Sequence, residues 1–336
     1  MKHRLRNSII ILLVTGIMLY LLLKDNFSGI MEVITTVNPV WILFAVGIYL
    51  VYFFTDTIPF YLYTKNYNSE IKFPFMLYLN AITKFFNGIT PLATGGQPMQ
   101  VYELRKKGTS TANSTNAVTQ FYIVFQISLV LWGLIALLFD KGFGMIQMNP
   151  VLTIFTVLGF ILNIVVLIFL FIISFNKSIN KRIVRVIISF LAKIRIVREK
   201  EKQIDKWNST CDEFYENSKV LKENKTYLFM GITLQMVTLF FYHLIPYALA
   251  RAIGIYDFTI GQSIVCSAYI YLTGCYIPIP GSTGGTEYVF LGFIGNFIVG
   301  YKLNALLLLW RALTYYLPTI VGGIIFNIKS MKKQSS

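Results

Sequence analysis

Four ionisable residues sit within or beside long apolar stretches: Asp56, Lys84, Glu287 and Arg311. An ionised side chain in hydrocarbon is costly unless it is paired or wetted, so each marks a polar site by default. The chemistry open to such groups is recognition of a charged headgroup or a buried ion pair. Glu287 lies two residues past Gly285 and Arg311 inside the last apolar run, so either answers the other, as headgroup contacts or as a strut. Asp56 and Lys84 can equally snorkel towards the surface. Metal and thiol chemistry have little to draw on. The three cysteines, Cys211, Cys266 and Cys275, are odd in number and unpatterned, and His3 and His243 lie far apart, so neither a disulfide framework nor a zinc cluster is expected. His243, alone in an apolar stretch beside Tyr242, reads as a packed, hydrogen-bonded side chain. No cofactor is expected.

The most specific signal is a repeated hexapeptide. Pro91-Leu92-Ala93-Thr94-Gly95-Gly96 and Pro280-Gly281-Ser282-Thr283-Gly284-Gly285 share Pro-x-x-Thr-Gly-Gly. Each copy ends a short apolar stretch, Phe75 to Thr90 or Thr259 to Ile277, and precedes another short one. Proline and glycine interrupt a helix and free backbone groups that hydrocarbon penalises, so these turns must face protein or water. A Thr-Gly-Gly turn opening a half-helix offers amides and a positive dipole end, a place for a lipid phosphate. The alternative is that small residues merely let two hairpins pack closely. On the first reading a headgroup cavity forms from Thr94, Gly95, Gly96 and Gln97, from Thr283, Gly284 and Gly285, and from Asp56, Glu103, Arg105, Glu287 and Arg311. Glu103 and Arg105 close the first hairpin. Tyr269, Tyr271, Tyr276 and Tyr288, near the second turn, read as aromatics at the membrane interface.

The elements that position these residues are membrane helices. Charged residues make up only 13% of the 336, about half the globular share, while hydrophobic residues make up 55%. Uncharged windows of roughly span length fall at Ser8 to Leu23, Val40 to Tyr63, Ala117 to Phe139, Val151 to Phe175, Thr226 to Ala250 and Leu303 to Ile328. The second of these holds Asp56 and the last Arg311. The expected fold is an all-α polytopic membrane protein, one integral domain over 1–336. It has six full crossings plus two oppositely oriented broken hairpins, 75–105 and 259–300, or eight spans if the hairpins cross fully. The basic start resembles a signal peptide, but Lys24-Asp25-Asn26 stands where a cleavage site belongs, so an uncleaved first span is expected.

Charge sorts the loops. A net charge of +15 would suit nucleic acid, but the excess collects on one side. Lys2, Arg4 and Arg6, then Lys65, Lys72, Arg105, Lys106 and Lys107, and finally Lys329, Lys332 and Lys333 all fall there. The segment 176–225 joins them with 13 bases against 7 acids. The other loops balance four bases with four acids. Both termini are therefore expected in the cytoplasm, with no direct nucleic-acid partner. Within 176–225, Ile183, Ile187, Phe190, Leu191 and Ile194 recur at helical spacing among basic residues, as in a helix lying on headgroups or a solvated loop helix. The inverted repeats with Gly/Pro-interrupted half-helices form a transporter pattern.

Three stretches carry a family resemblance: Gly95-Gly96-Gln97-Pro98 with Val101-Tyr102; Pro278-Ile279-Pro280-Gly281-Ser282-Thr283-Gly284-Gly285-Thr286-Glu287; and Arg311-Ala312-Leu313-Thr314-Tyr315-Tyr316-Leu317-Pro318. Together they resemble the lysylphosphatidylglycerol synthase transmembrane-region family over nearly the whole chain. The resemblance implies a bacterial inner-membrane unit similar to the flippase part of the multiple peptide resistance factors. That part moves aminoacylated phosphatidylglycerol outward and is linked to resistance to cationic antimicrobial peptides, while a separate cytosolic domain makes the lipid from lysyl-tRNA. Read to Ser336, this chain leaves no length for that domain. Phosphatidylglycerol lysyltransferase activity, or another lipid-modifying transfer, is then expected only with a separate soluble synthase as partner; no P-loop or nucleophile-base pair is legible to supply it. The expected ligand is a membrane phospholipid, and self-association is compatible with the reading.

The charge layout makes a direct prediction. In a cysteine-free background, a cysteine at Lys200 should react with an impermeant maleimide only from the cytoplasmic side, and one at Gln147 only from outside. Labelling of both from the same side would overturn the topology.

Overall fold

A computed structural model describes residues 27–194, 199–274 and 276–334. Among them the chain is helical, with no strand. Helix is what apolar, lipid-facing sequence must form, since only a helix satisfies its own backbone within one segment. The short α1 (Phe27–Thr35), which no span pattern announces, precedes α2 (Pro39–Lys65). Then come α3 (Phe73–Gly88), α4 (Gly96–Lys106), α5 (Thr111–Phe143), α6 (Pro150–Phe175), α7 (Lys177–Lys193), α8 (Lys200–Glu223) and α9 (Lys225–Ala252). The chain closes with α10 (Ile260–Gly274), α11 (Gly285–Ile294), α12 (Gly300–Arg311), a π turn over Ala312–Tyr316, and α13 (Leu317–Gln334). Starts are set by capping side chains: Asn38, Ser110, Asn149, Asn176 and Asn224 each accept a first-turn amide of the helix that follows.

Five helical stretches are long and apolar enough to cross a membrane: α2, α5, α6, α9 and the continuous stretch of α12 and α13. They match five of the six expected crossings, and the sixth, Ser8 to Leu23, lies outside the described residues. The broken elements turn back. α3 has 16 residues and α10 has 15, about 24 Å and 22 Å of helix, short of a hydrocarbon core of about 30 Å. Each folds against its successor in antiparallel fashion. Tyr78 of α3 faces Glu103 of α4, while Gly96 abuts Thr83 and Asn87. Cys266 of α10 reaches Phe293 of α11, and Gly274 lies against Thr286. The first hairpin begins and ends on the side where α2 ends and α5 starts, and the second on the side where α9 ends and α12 starts. They thus enter from opposite faces, and their turns meet.

Close packing holds this meeting point. α2 and α9 run antiparallel through Tyr52 against Tyr242 and Tyr63 against Tyr227. α13 lies along α3, with Gly88 against Thr319 and Gly323 against Phe85. A side chain at Gly322 would collide with the carbonyl oxygen of Ala81. Outside the bundle, the basic segment 176–225 is a helical pair. α8 buries Ile204, Cys211, Phe214 and Leu221 and ties to α5 through Asn116, which donates to the Phe214 carbonyl at 2.9 Å. α7 pins to α8 through Lys181 and Lys177, 2.7 Å and 3.0 Å from Asp212. These hydrogen-bonded ammonium groups, Lys181 foremost, hold the Asp212 carboxyl below its ordinary range. On α7, Ile187 and Phe190 face outward beside Arg182 and Arg185.

The glycine seam predicts a size-dependent loss. Gly322→Val should destabilise the detergent-solubilised protein by about 2 kcal/mol through overpacking, whereas Gly47→Ala, where an added methyl meets nothing within 4 Å, should not. Equal melting temperatures for the two variants would show that α3 and α13 are not in close contact.

Candidate functional site

The two hexapeptides fold alike. Pro91–Ala93 and Pro280–Ser282 are single 3₁₀ turns whose second residues have nearly the same backbone, Leu92 at φ 57°, ψ 18° and Gly281 at φ 64°, ψ 11°. Their third residues, Ala93 at φ 50° and Ser282 at φ 52°, are also left-handed. Non-glycine residues there carry a local strain of about 1–3 kcal/mol each, which persists only where the surroundings over-determine it. Part of that determination is a shared clasp. Thr94 Oγ1 donates to the Pro91 carbonyl at 3.0 Å, and Thr283 Oγ1 to the Pro280 carbonyl at 3.1 Å. The threonines of the repeat therefore close their own turns.

The glycine amides are also engaged. Gly95 N–H donates to Thr90 Oγ1 at 2.9 Å and Gly96 N–H to Asn87 Oδ1 at 2.8 Å. Gly284 N–H donates to Glu287 Oε2 at 2.6 Å, so a carboxylate already occupies the positive end of α11. The expectation of free amides awaiting a phosphate at these three residues is corrected: side chains of the same hairpins take them.

What the turns enclose is a cavity in two adjoining chambers. The larger, about 220 Å³, is walled by Lys84, Asn87, Tyr242, Tyr271, Ser282, Thr286, Arg311, Thr314, Tyr315 and Thr319, among others. The smaller, about 90 Å³, is walled by Asp56, Asn80, Thr83, Gln97 and Gln100 with Phe60, Phe121, Tyr122 and Phe125. Tyr52, Lys84, Asn87 and Tyr271 belong to both.

Two ion pairs set the electrostatics. Lys84 Nζ lies 2.8 Å from Asp56 Oδ2, donates to the Tyr52 hydroxyl at 2.8 Å and sits over the Tyr52 ring. Asp56 Oδ1 accepts from Gln235 at 3.3 Å. Asp56 and Lys84 therefore meet inside the bundle rather than snorkelling. Arg311 Nε donates to Glu287 Oε1 at 2.7 Å, Nη2 lies 2.7 Å from the same oxygen, and Nη1 donates to the Gly281 carbonyl at 3.1 Å. Tyr315 donates to the Gly88 carbonyl at 3.1 Å, tying the last span to the first hairpin. The larger chamber is thus faced by two cations, Lys84 and Arg311. Asp56 faces only the smaller chamber and Glu287 neither.

The remaining expected site residues fall elsewhere. Thr94 is exposed at its turn. Glu103 pairs with Lys106 at 2.6 Å and, more loosely, with Lys329 at 3.7 Å, at the far end of the first hairpin, and Arg105 points outward there. Neither lines the cavity, because α4 carries them beyond its mouth. Tyr269 and Tyr276 are internal rather than interfacial, bonded to Asp140 and Asn163. His243 is buried with Nδ1 3.1 Å from Ser267 Oγ. Among the described residues no three His, Cys, Asp or Glu side chains converge as metal ligands. Missed in the sequence were Asn80 and Asn87, which with Lys84 recur at i, i+4 and i+7 on α3, a polar stripe on an otherwise apolar helix.

This geometry of opposed broken hairpins agrees with a sequence match: the family model described as the lysylphosphatidylglycerol synthase TM region covers residues 8–322. The chain belongs to that family. Two curated proteins, one bacterial and one archaeal, are similar to this chain along most of their length. An uncharacterized protein of Mycoplasma genitalium, MG306, is 23% identical over 90% of this chain and 82% of its own length. A UPF0104 membrane protein of Archaeoglobus fulgidus is 26% identical over 80% of this chain and 81% of its own. The protein is therefore membrane-bound, and its family is defined by the membrane region itself.

The Glu287 geometry assigns it a structural duty. Glu287→Gln should destabilise the protein by about 3–5 kcal/mol, because Arg311 would be left buried without its counter-charge. Glu287→Met with Arg311→Met should recover most of that loss. A stable Glu287→Gln protein in a detergent melting assay would return Glu287 to the list of ligand-facing groups.

Proposed function

We propose that the protein is a lipid translocase of the bacterial inner membrane, with both termini and the basic face in the cytoplasm, moving phospholipid headgroups through the cavity between the two hairpins. The observation that carries this reading is the pair of cations, Lys84 and Arg311, on the wall of the 220 Å³ chamber, with their carboxylates turned to a side chamber or into the protein. A phosphodiester is the common anion of the surrounding medium, and a desolvated ammonium and guanidinium are suited to hold it by charge-assisted hydrogen bonds. The opposed hairpins supply a midplane site at a repeat interface, where transporters place their substrates.

The chemistry asked of the protein is solvation. A headgroup crossing hydrocarbon must find at each depth what water would have offered it, and the hydroxyls of Tyr52, Tyr242, Tyr271, Ser282, Thr286, Thr314 and Thr319 offer donors and acceptors around the two cations. Aminoacylated phosphatidylglycerol, such as lysylphosphatidylglycerol, is the lipid the family description points to, and it carries the same phosphodiester. Traffic of that lipid would link the protein to resistance to cationic antimicrobial peptides.

Leaflet exchange in liposomes holding the purified chain tests the reading. Labelled phosphatidylglycerol should exchange with the wild type. The paired neutral swap Lys84→Met with Asp56→Met, which leaves no buried charge unpaired, should slow exchange by about tenfold while the protein stays folded. Folded wild-type protein that exchanges no phospholipid would overturn the proposal.

A further inference from the structure

The smaller chamber holds a group that the protein itself leaves unused. Gln100 is only 3% exposed, yet its carboxamide makes no hydrogen bond to another described residue, and it faces the 90 Å³ chamber beside Lys84. What surface it keeps opens on that chamber, so its donor and acceptor are left to whatever fills the space. Gln97, which also lines it, makes no hydrogen bond to another described residue, and Asn87, whose side-chain oxygen accepts from Gly96 N–H, borders both chambers. These are carboxamides, which both donate and accept, as a hydroxyl does.

The charges around them exclude one class of ligand. Among the described residues the one carboxylate on this chamber, Asp56, has one oxygen taken by Lys84 and the other by Gln235. An ammonium placed here would find no free anion and would lie beside the Lys84 ammonium, a like-charge contact in a low-dielectric site. The lining also includes Phe60, Phe121 and Phe125, whose aromatic faces suit C–H groups. By liquid volume 90 Å³ admits about three waters, room for a small polyol and none for an acyl chain.

We propose that the chamber formed by Gln100, Gln97 and Asn87 receives the uncharged, hydroxyl-bearing end of a phospholipid headgroup whose phosphate rests between Lys84 and Arg311, so that polyol headgroups are taken over amine-bearing ones. This rests on the translocase reading and narrows its cargo to phosphodiesters of glycerol, the polyol that the 90 Å³ chamber can hold, with the lysyl derivative disfavoured.

The test compares labelled phosphatidylglycerol, phosphatidylinositol, phosphatidylethanolamine and lysylphosphatidylglycerol in the liposome exchange assay, with melting shifts of the detergent-solubilised full chain on adding short-chain forms of the same lipids. Phosphatidylglycerol should exchange about tenfold faster than the amine lipids and give the larger melting shift. Phosphatidylinositol, whose ring exceeds the chamber, should trail phosphatidylglycerol, and the reverse order would overturn the assignment. Gln100→Glu should narrow or invert the ratio in favour of the amine lipids, and Gln100→Leu should slow the polyol lipids alone. Equal or faster exchange of either amine lipid by the wild type would overturn the assignment while leaving a translocase. If no lipid exchanges, the translocase reading falls and the melting shifts decide the chamber: a larger shift with polyol lipids upholds it, and an equal or smaller one overturns it.

Discussion

Two helices broken short of a full crossing leave backbone groups that hydrocarbon cannot satisfy, and the arrangement of the whole bundle follows from covering them. Each interrupted turn is clasped by its own threonine, and the two turns are then set against each other. The last span finishes the cover, with Arg311 on the Gly281 carbonyl and Tyr315 on the Gly88 carbonyl. A single span thus attends to both hairpins, which explains why it must approach α3 closely enough to need Gly322 and Gly323.

The same constraint creates the cavity. Hairpins that turn back within the bundle do not fill it, and the space left beside their turns is lined by whatever polar groups the spans carry there. Charge is distributed there asymmetrically. Each cation has its carboxylate, so the desolvated interior remains near neutrality, but in the larger chamber the cations lie on the surface and the carboxylates do not. An anionic ligand is therefore met without an unpaired charge being stored in its absence.

Much of this is legible in the residues. Long uncharged runs dictate the spans, and the repeated Pro-x-x-Thr-Gly-Gly marks the two places where helix cannot continue. The signal is clear because hydrocarbon permits so few alternatives. Less legible is which polar residue faces what. Glu103 and Arg105 are close in sequence to the first turn, but α4 rises about 1.5 Å per residue and delivers them to its far end. Glu287 is near the second turn, but its place in the first turn of α11 directs it to Gly284 and Arg311. The carboxamides of α3 and α4 acquire meaning only once tertiary packing makes their faces adjoin. α1 carries too few residues for a periodicity to stand out, and it is recognised only by its packing on α12.

The π turn at Ala312–Tyr316 bears on how the last span can vary. An α-helix advances about 100° per residue, and a π turn holds one residue more than that phase requires. Upstream of it the helix is oriented by Arg311, which must meet Glu287; downstream it is oriented by the glycines that must meet α3. The extra residue is the phase offset between two independent bearings. Deleting one residue within that turn would leave an ordinary helix with both bearings kept, whereas adding or removing a residue in the α-helix on either side would rotate one bearing by about 100° away from its partner. A chain of the same length with a regular helix here would have to give up either its guanidinium or its seam.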